Sequence, residues 1–213
     1  MAIGLAVLRH RPAAVIVAGH AGGETLTERL RLVPVAPGHE ADLVVVHCDP
    51  WIAQWYAGAW PDATAREFAA RCARGWSADG VGKWIAYERA TGALVGRGGL
   101  SAMPADAAAS EQIARLAGPG WARRRLELGW AVRTEYRGRG YATEIGRAGL
   151  EFGLDVLGAD AVIAFTERHN TASRNVMERL GLRFAGEILA RGLVEGEIGE
   201  RDDAPFAVYS TGR

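Results

Sequence analysis

The sequence predicts a single α/β domain, of the α+β kind, in which strands and helices alternate along the chain. Three observations carry this. Short segments with period-two alternation recur between segments whose apolar residues return every three to four positions. The chain has 213 residues, enough for one well-filled core and short for two. Apolar residues make up 49% and charged residues 23%, a balance that sets the chain apart from disordered and membrane classes.

In chain order, residues 1–23 end in Ala21-Gly22-Gly23 and are expected to form a flexible tail, leaving 24–213 as the domain. Arg9-His10-Arg11 before Ala13–Ala18 faintly imitates a signal peptide, but the apolar stretch after Pro12 is too short, so a cytoplasmic location is expected. Thr25–Val33 alternates apolar and polar residues and predicts the first strand. Pro37 opens a helix running to about Cys48, and a second helix is expected over Thr64–Trp76, with Phe68, Ala69, Cys72 and Trp76 on one face. Cys48 and Cys72 have no metal-like spacing, and both are expected to be small buried side chains.

Trp84–Glu88 and Leu94–Leu100 predict two strands joined by a turn at Ala90-Thr91-Gly92. Residues 102–124, rich in Ala, Pro and Gly, are expected to be a long functional or mobile connection. Within it, Trp121 beside Gly118-Pro119-Gly120 is a candidate lid residue. Leu126–Arg133 is strand-like, 134–140 is a glycine-bearing turn, and Ala142–Leu157 has a helical apolar face. Ala161–Phe165 predicts a buried strand and Thr171–Leu180 a helix stopped by Gly181. Strands over Leu182–Leu189 and Pro205–Tyr209, separated by an acidic loop, complete the chain.

Composition narrows the function. The 25 basic and 25 acidic side chains cancel, which removes the electrostatic case for a nucleic-acid partner. No apolar run approaches the ~18 residues of a membrane span. Histidines 10, 20, 39, 47 and 169 show no ligand spacing, so no metal is expected.

The most informative segment is Arg137-Gly138-Arg139-Gly140-Tyr141-Ala142, between a strand and a helix. Glycines permit positive φ and close approach of a ligand to the backbone. The first amides of the following helix lack internal partners and sit at the positive end of its dipole. Together they form a cradle for a pyrophosphate. A P-loop needs Gly-Lys-Ser/Thr after the second glycine, where Gly140-Tyr141-Ala142 stands. A Rossmann turn places Gly or Ala at position 143, which is Thr, and occurs after an early strand. Neither fits.

Arg137-x-x-Gly140-x-Ala142 resembles the Gln/Arg-x-x-Gly-x-Gly/Ala signature of the GNAT N-acetyltransferases. The resemblance runs from about Leu26 to Tyr209. It is strongest where Glu127-Leu128-Gly129-Trp130, Arg137–Glu144, and Asn170-x-x-Ser173-x-x-Val176 with Leu180-Gly181-Leu182 follow in order. Thr27–Leu32 also looks like the start of the branch that acetylates N-termini of ribosomal proteins.

The resemblance implies a mixed, mostly antiparallel central sheet flanked by helices, acetyl-coenzyme A as cosubstrate without a metal, and a primary amine as acceptor. It further implies that amides around Gly138, Arg139, Gly140, Tyr141, Ala142 and Thr143 hold the coenzyme's pyrophosphate. Trp130-Ala131-Val132 would run beside the pantetheine, with an amide near Val132 on the thioester oxygen, and Asn170 would reach the pantetheine. Asn170 equally suits an N-cap. Arg137 and Arg139 stand either near phosphates or simply in solvent. Many relatives pair as dimers, but no patch in this sequence identifies a dimer face.

Acetyl transfer needs a neutral amine, hence a base or a proton-carrying water. Glu127, just before the thioester-binding strand segment, is the candidate; a strand glutamate satisfied by a structural partner is the alternative. Where many GNAT enzymes place a tyrosine that protonates the leaving thiolate, this chain has Met177. Ser173, one turn before it on the same helix face, is the remaining hydroxyl, as proton donor or as coenzyme contact.

Trp51, Trp55, Tyr56 and Trp60 would be core or would wall an acceptor pocket. The acidic stretch Glu195–Asp203 would be a solvated loop or would attract a cationic amine. Arg123-Arg124-Arg125 would be a surface run or would touch an adenosine phosphate. Two other functions remain open at this point: a non-catalytic acyl-coenzyme A sensor, and an antibiotic- or polyamine-detoxifying acetyltransferase.

Overall fold

The structure, a computed structural model, describes residues 23–212. The expected tail at 1–23 therefore lies almost wholly outside the described residues. Among the described residues eight strands form one sheet in the order β1-β2-β3-β4-β5-β6-β8-β7. They are β1 (Thr25–Leu26), β2 (Leu30–Pro34), β3 (Lys83–Glu88), β4 (Leu94–Ala102), β5 (Leu126–Val132), β6 (Ile163–Glu167), β7 (Arg183–Leu193) and β8 (Glu200–Ser210). The helices are α1 (Glu40–His47), α2 (Pro50–Ala53), α3 (Asp62–Asp79), α4 (Ala108–Ala122), α5 (Tyr141–Glu151) and α6 (Thr171–Arg179).

Every neighbouring pair is antiparallel except β5 and β6, which run parallel and share the single register pair Glu127↔Ile163. Beyond that pair the two strands diverge. Backbone groups on the β6 side of Gly129–Val132 are thus left without a ladder partner, and buried backbone groups need one.

Three of the four apolar clusters among the described residues hold the layers. Leu100, Leu128, Trp84 and Tyr209 meet Ile145 and Ala148 of α5 on one face of the sheet. Gly98 lets that helix come close, since a Cβ there would lie 2.5 Å from Ile145 Cγ2. On the other face α3 packs Phe68, Ala69 and Cys72 against Ile85. Farther along that face α4 packs Ile113 and Trp121 against Ile163, Ile188 and Phe206.

Several expectations are corrected. Thr25–Val33 is two strands broken by a turn, because Thr27 Oγ1 accepts the Leu30 amide at 3.0 Å and the Thr27 amide donates to the Leu30 carbonyl at 2.9 Å. Residues 102–124 are mostly helix. Gly118, at φ 79° and ψ 177°, breaks α4 into two abutting segments, and Pro119 starts the second, where its missing N–H costs little. Trp121 is no lid. It is fully buried and donates Nε1–H to the Leu126 carbonyl at 2.9 Å. Cys48 is exposed just past α1, whereas Cys72 is buried as expected. The α5 helix continues into a π-helical turn at Phe152–Val156. Four of the nine residues of the acidic stretch, Glu200–Asp203, belong to β8.

Candidate active site

The turn before α5 is built by its glycines. Gly138 and Gly140 adopt φ of 70° and 83°, the left-handed region that side chains disfavour. Gly140 is the N-cap of α5, and no side chain caps the helix, so its first amides are available to a ligand. The turn is anchored from far away in sequence. Glu144 in the first turn of α5 accepts from the Arg29 amide at 2.8 Å and from Thr27 Oγ1, and pairs with the Arg29 guanidinium at 2.7 Å. Arg29 Nη1 also donates to the Arg139 carbonyl at 2.8 Å. A carboxylate at this helix start also complements the dipole.

A cavity of about 1130 Å³ opens where β5 and β6 part. Glu127 and Trp130–Val132 of β5 line it, as do Arg137, Gly138 and Gly140 of the turn and Tyr141–Thr143 of α5. Asn170 and Ser173 line it from α6. Asn170 is buried and is the N-cap, its Oδ1 accepting the Ser173 amide at 3.1 Å. Met177 is buried in the core. Arg139 is placed differently from the rest. Its guanidinium lies 3.2 Å from Glu88 and 3.3 Å from the Tyr141 hydroxyl, outside the cavity lining. Arg137 instead stacks over Trp51, 3.5 Å from the ring centre.

Glu127 has the structural partner that sequence alone leaves open. Its Oε2 accepts from Lys83 Nζ at 2.7 Å and from Ser101 Oγ at 2.9 Å. Lys83 is buried, and burial pushes its pKa down while the Glu127 charge pulls it back up. The other oxygen, Oε1, makes no hydrogen bond among the described residues and sits over Gly129, where a Cβ would lie 2.8 Å away. Glu127 is therefore held by one oxygen and free at the other, at the cavity floor.

Sequence reasoning missed three groups here. Lys83 pairs with a residue 44 positions away. Arg97 of β4 is buried and donates Nε–H to His47 Nε2 at 3.0 Å and Nη2–H to the Tyr56 hydroxyl at 2.6 Å. Glu167, at the end of β6, is buried on the cavity wall, and burial raises its pKa above the usual carboxylate range. The only local signal was a charged residue inside the strand for Arg97 and at a strand end for Lys83 and Glu167.

Of the aromatic group, Trp51, Trp55 and Tyr56 line the cavity, while Trp60 stacks on His47 at 3.4 Å. Of the acidic stretch only Glu200 reaches the cavity lining. Arg123 pairs with Asp160, and none of Arg123–Arg125 lines the cavity.

The family model described as Acetyltransferase (GNAT) domain matches residues 29–183, well over half of the chain. The chain belongs to the GNAT acetyltransferase family. A structure described as a putative GnaT-family acetyltransferase from Bordetella pertussis superposes with a TM-score of 0.66 at 23% identity, over 88% of this chain and 98% of that one. A structure described as a putative ribosomal-protein-serine acetyltransferase from Vibrio cholerae gives 0.62 at 16% identity, over 92% and 100%. The FsC-acetyl coenzyme A-N(2)-transacetylase of Aspergillus fumigatus is 27% identical over 183 residues, covering 81% of this chain and 72% of its own.

This GNAT protein is thus an acetyl-coenzyme A-dependent N-acetyltransferase. Its residues fit that cosubstrate. The uncapped start of α5, the two positive-φ glycines and the unladdered edge of β5 offer donors and acceptors to a long, diphosphate-bearing chain. Among the described residues no group of three or more His, Cys, Asp or Glu is placed to hold a metal ion. No helix among them is long and apolar enough to cross a membrane.

Proposed function

We propose that the acceptor is a primary amine, on a small molecule or a peptide N-terminus, and that Glu127 receives its proton directly or through a water. The observation that carries this is the one-sided hold on Glu127: Lys83 and Ser101 fix Oε2, and Oε1 is left free at the cavity floor. A carboxylate so pinned is oriented before the acceptor arrives, which saves reorganisation during the reaction.

The coenzyme supplies an acetyl group already activated as a thioester. Around it, amides of Gly138–Thr143 bind the diphosphate, with the helix dipole adding attraction. The open edge of Trp130–Val132 pairs with the pantetheine amides, and Asn170 adds its Nδ2 while its Oδ1 caps α6. An amide near Val132 faces the carbonyl oxygen, where negative charge builds; such a donor is typically worth 10²–10³ in rate. The amine nitrogen gives its proton to Glu127, its lone pair forms the C–N bond, and the C–S bond breaks with the electron pair leaving on sulfur. Ser173 lies on the cavity wall, where its hydroxyl can donate a hydrogen bond to that sulfur and relay a proton to it from solvent.

Glu167 supports a second reading of the base, because it is a buried carboxylate on the same cavity with no cation within 4.0 Å among the described residues. Thiol release from acetyl-coenzyme A, followed with peptides and small amines in parallel, tests both. Glu127→Gln is expected to lower kcat about 100-fold with the coenzyme Kd within twofold. Wild-type turnover in that variant removes Glu127 from the mechanism. A matching loss in Glu167→Gln instead, with wild-type activity lost on acidification at a higher pH than an ordinary carboxylate would give, assigns the proton to Glu167.

A further inference from the structure

Arg97 is a buried cation without a counter-ion. It is 4% exposed, and among the described residues no carboxylate lies within 4.0 Å of it. A guanidinium has five N–H donors. Two of them are used, on His47 Nε2 and the Tyr56 hydroxyl, both neutral acceptors. The rings of Phe68, Tyr56 and Trp60 lie 5.1, 5.4 and 6.0 Å from its carbon and soften the burial without neutralising the charge. Burying a charge without a partner is costly.

The side chain opens onto the cavity. Arg97, Tyr56 and Phe68 all line it, on the same face of the sheet as Lys83 and Glu127. Lys83 has its anion in Glu127, whereas Arg97 has none among the described residues. In register Arg97 pairs with Ala131, and Ser101 with Glu127. The Arg97 backbone therefore stands four residues, roughly 13 Å of strand, from the row of the proposed base. Ala131, its direct neighbour, belongs to the segment bordering the cleft.

We propose that Arg97 is an acceptor subsite for a carboxylate, so that the acceptor is an amine carrying a carboxylate a few bonds away. The reading rests on acetyl transfer in this cavity. A carboxylate takes two parallel N–H donors from the outer edge of the guanidinium. His47 and Tyr56 hold the rest of the fork and set its plane. The missing counter-ion arrives with the substrate. An acceptor lacking it leaves the guanidinium unpaired, which is how a polar site rejects an analogue. Simple polyamines, all cation, are disfavoured.

Thiol release with glycine, β-alanine, γ-aminobutyrate and 6-aminohexanoate against their carboxamides tests this. A second arm sets Ala-Asp amide against Ala-Asn amide, to separate free amino acids from acidic N-termini as the source of the carboxylate. In the wild type at least one carboxylate is expected to exceed its amide tenfold or more in kcat/KM. In Arg97→Met the ratio should fall to about one through KM, and in Arg97→Lys to an intermediate value, with the acetyl-coenzyme A Kd unchanged. A wild-type ratio near one for every pair overturns the subsite whatever the variants do, as does a ratio preserved in Arg97→Met. Turnover indifferent to the carboxylate leaves acetyl transfer standing. No thiol from any amine, with coenzyme bound, counts against both readings.

Discussion

His47 shows what a buried side chain is made to do by its neighbours. It is fully buried, stacked on Trp60, and its pKa is pushed down to about 2, first by burial and then by the Arg97 charge. Unfolded, it would bind a proton near pH 6.5. The unfolded chain thus takes up a proton that the folded one refuses, and stability falls as pH drops below 6.5 toward 2. Urea unfolding should show the wild type about 2 kcal/mol less stable at pH 5 than at pH 7, a loss that is absent in His47→Gln. An equal loss in the variant would move the effect elsewhere. None of this was legible in the sequence, where His47 was one of five scattered histidines. Its partners lie 50 and 13 positions away, and only sheet register brings β4 to α1. Glu127 was legible because its neighbours in sequence carry the family pattern; its partner Lys83 was not.

At the scale of elements, the turn from β5 into α5 was the most readable piece, since backbone conformation and residue type agree there. Gly140 holds φ of 83° and is needed for it. Gly140→Ala should cost about 1–2 kcal/mol of stability and raise the acetyl-coenzyme A Kd about tenfold by calorimetry. An unchanged Kd would take the cradle away from this turn. The connection at 102–124 misled for a physical reason. Gly118-Pro119-Gly120 is ordinarily a helix breaker, and a break does occur, at one residue. The chain then resumes its helix, because Ile113 and Trp121 can both be buried against β6 and β8 only from a helix. Tertiary burial overrode the local signal. The first strand misled in the opposite sense: alternation continued through Thr27–Arg29, but side-chain bonds to Glu144 folded it into a turn.

For the whole molecule, the sheet is joined across its middle by one parallel register pair. If the coenzyme lies along the β5 edge, as proposed, it would span both halves and supply the missing pairings. Acetyl-coenzyme A at 100 times its Kd should stabilise the protein by ~2.7 kcal/mol and raise Tm by roughly 5–10 °C. The accompanying slowing of amide exchange should appear in β5 and β6 together. Protection confined to α5 would mean that the diphosphate binds without the arm bridging the strands. The sheet order was only partly foreseeable, because hairpin pairings follow from short turns, while the β5–β6 neighbourhood depends on a crossover through α5.

The cradle at the start of α5 has one more consequence. If it grips the diphosphate, it grips a part of the carrier that is identical before and after the acetyl group has gone. Charged and spent carriers then differ only in the few atoms beside Ala131 and Val132. The enzyme must tell full from empty at the far end of the molecule from its strongest hold, and accumulating product contests every new cycle.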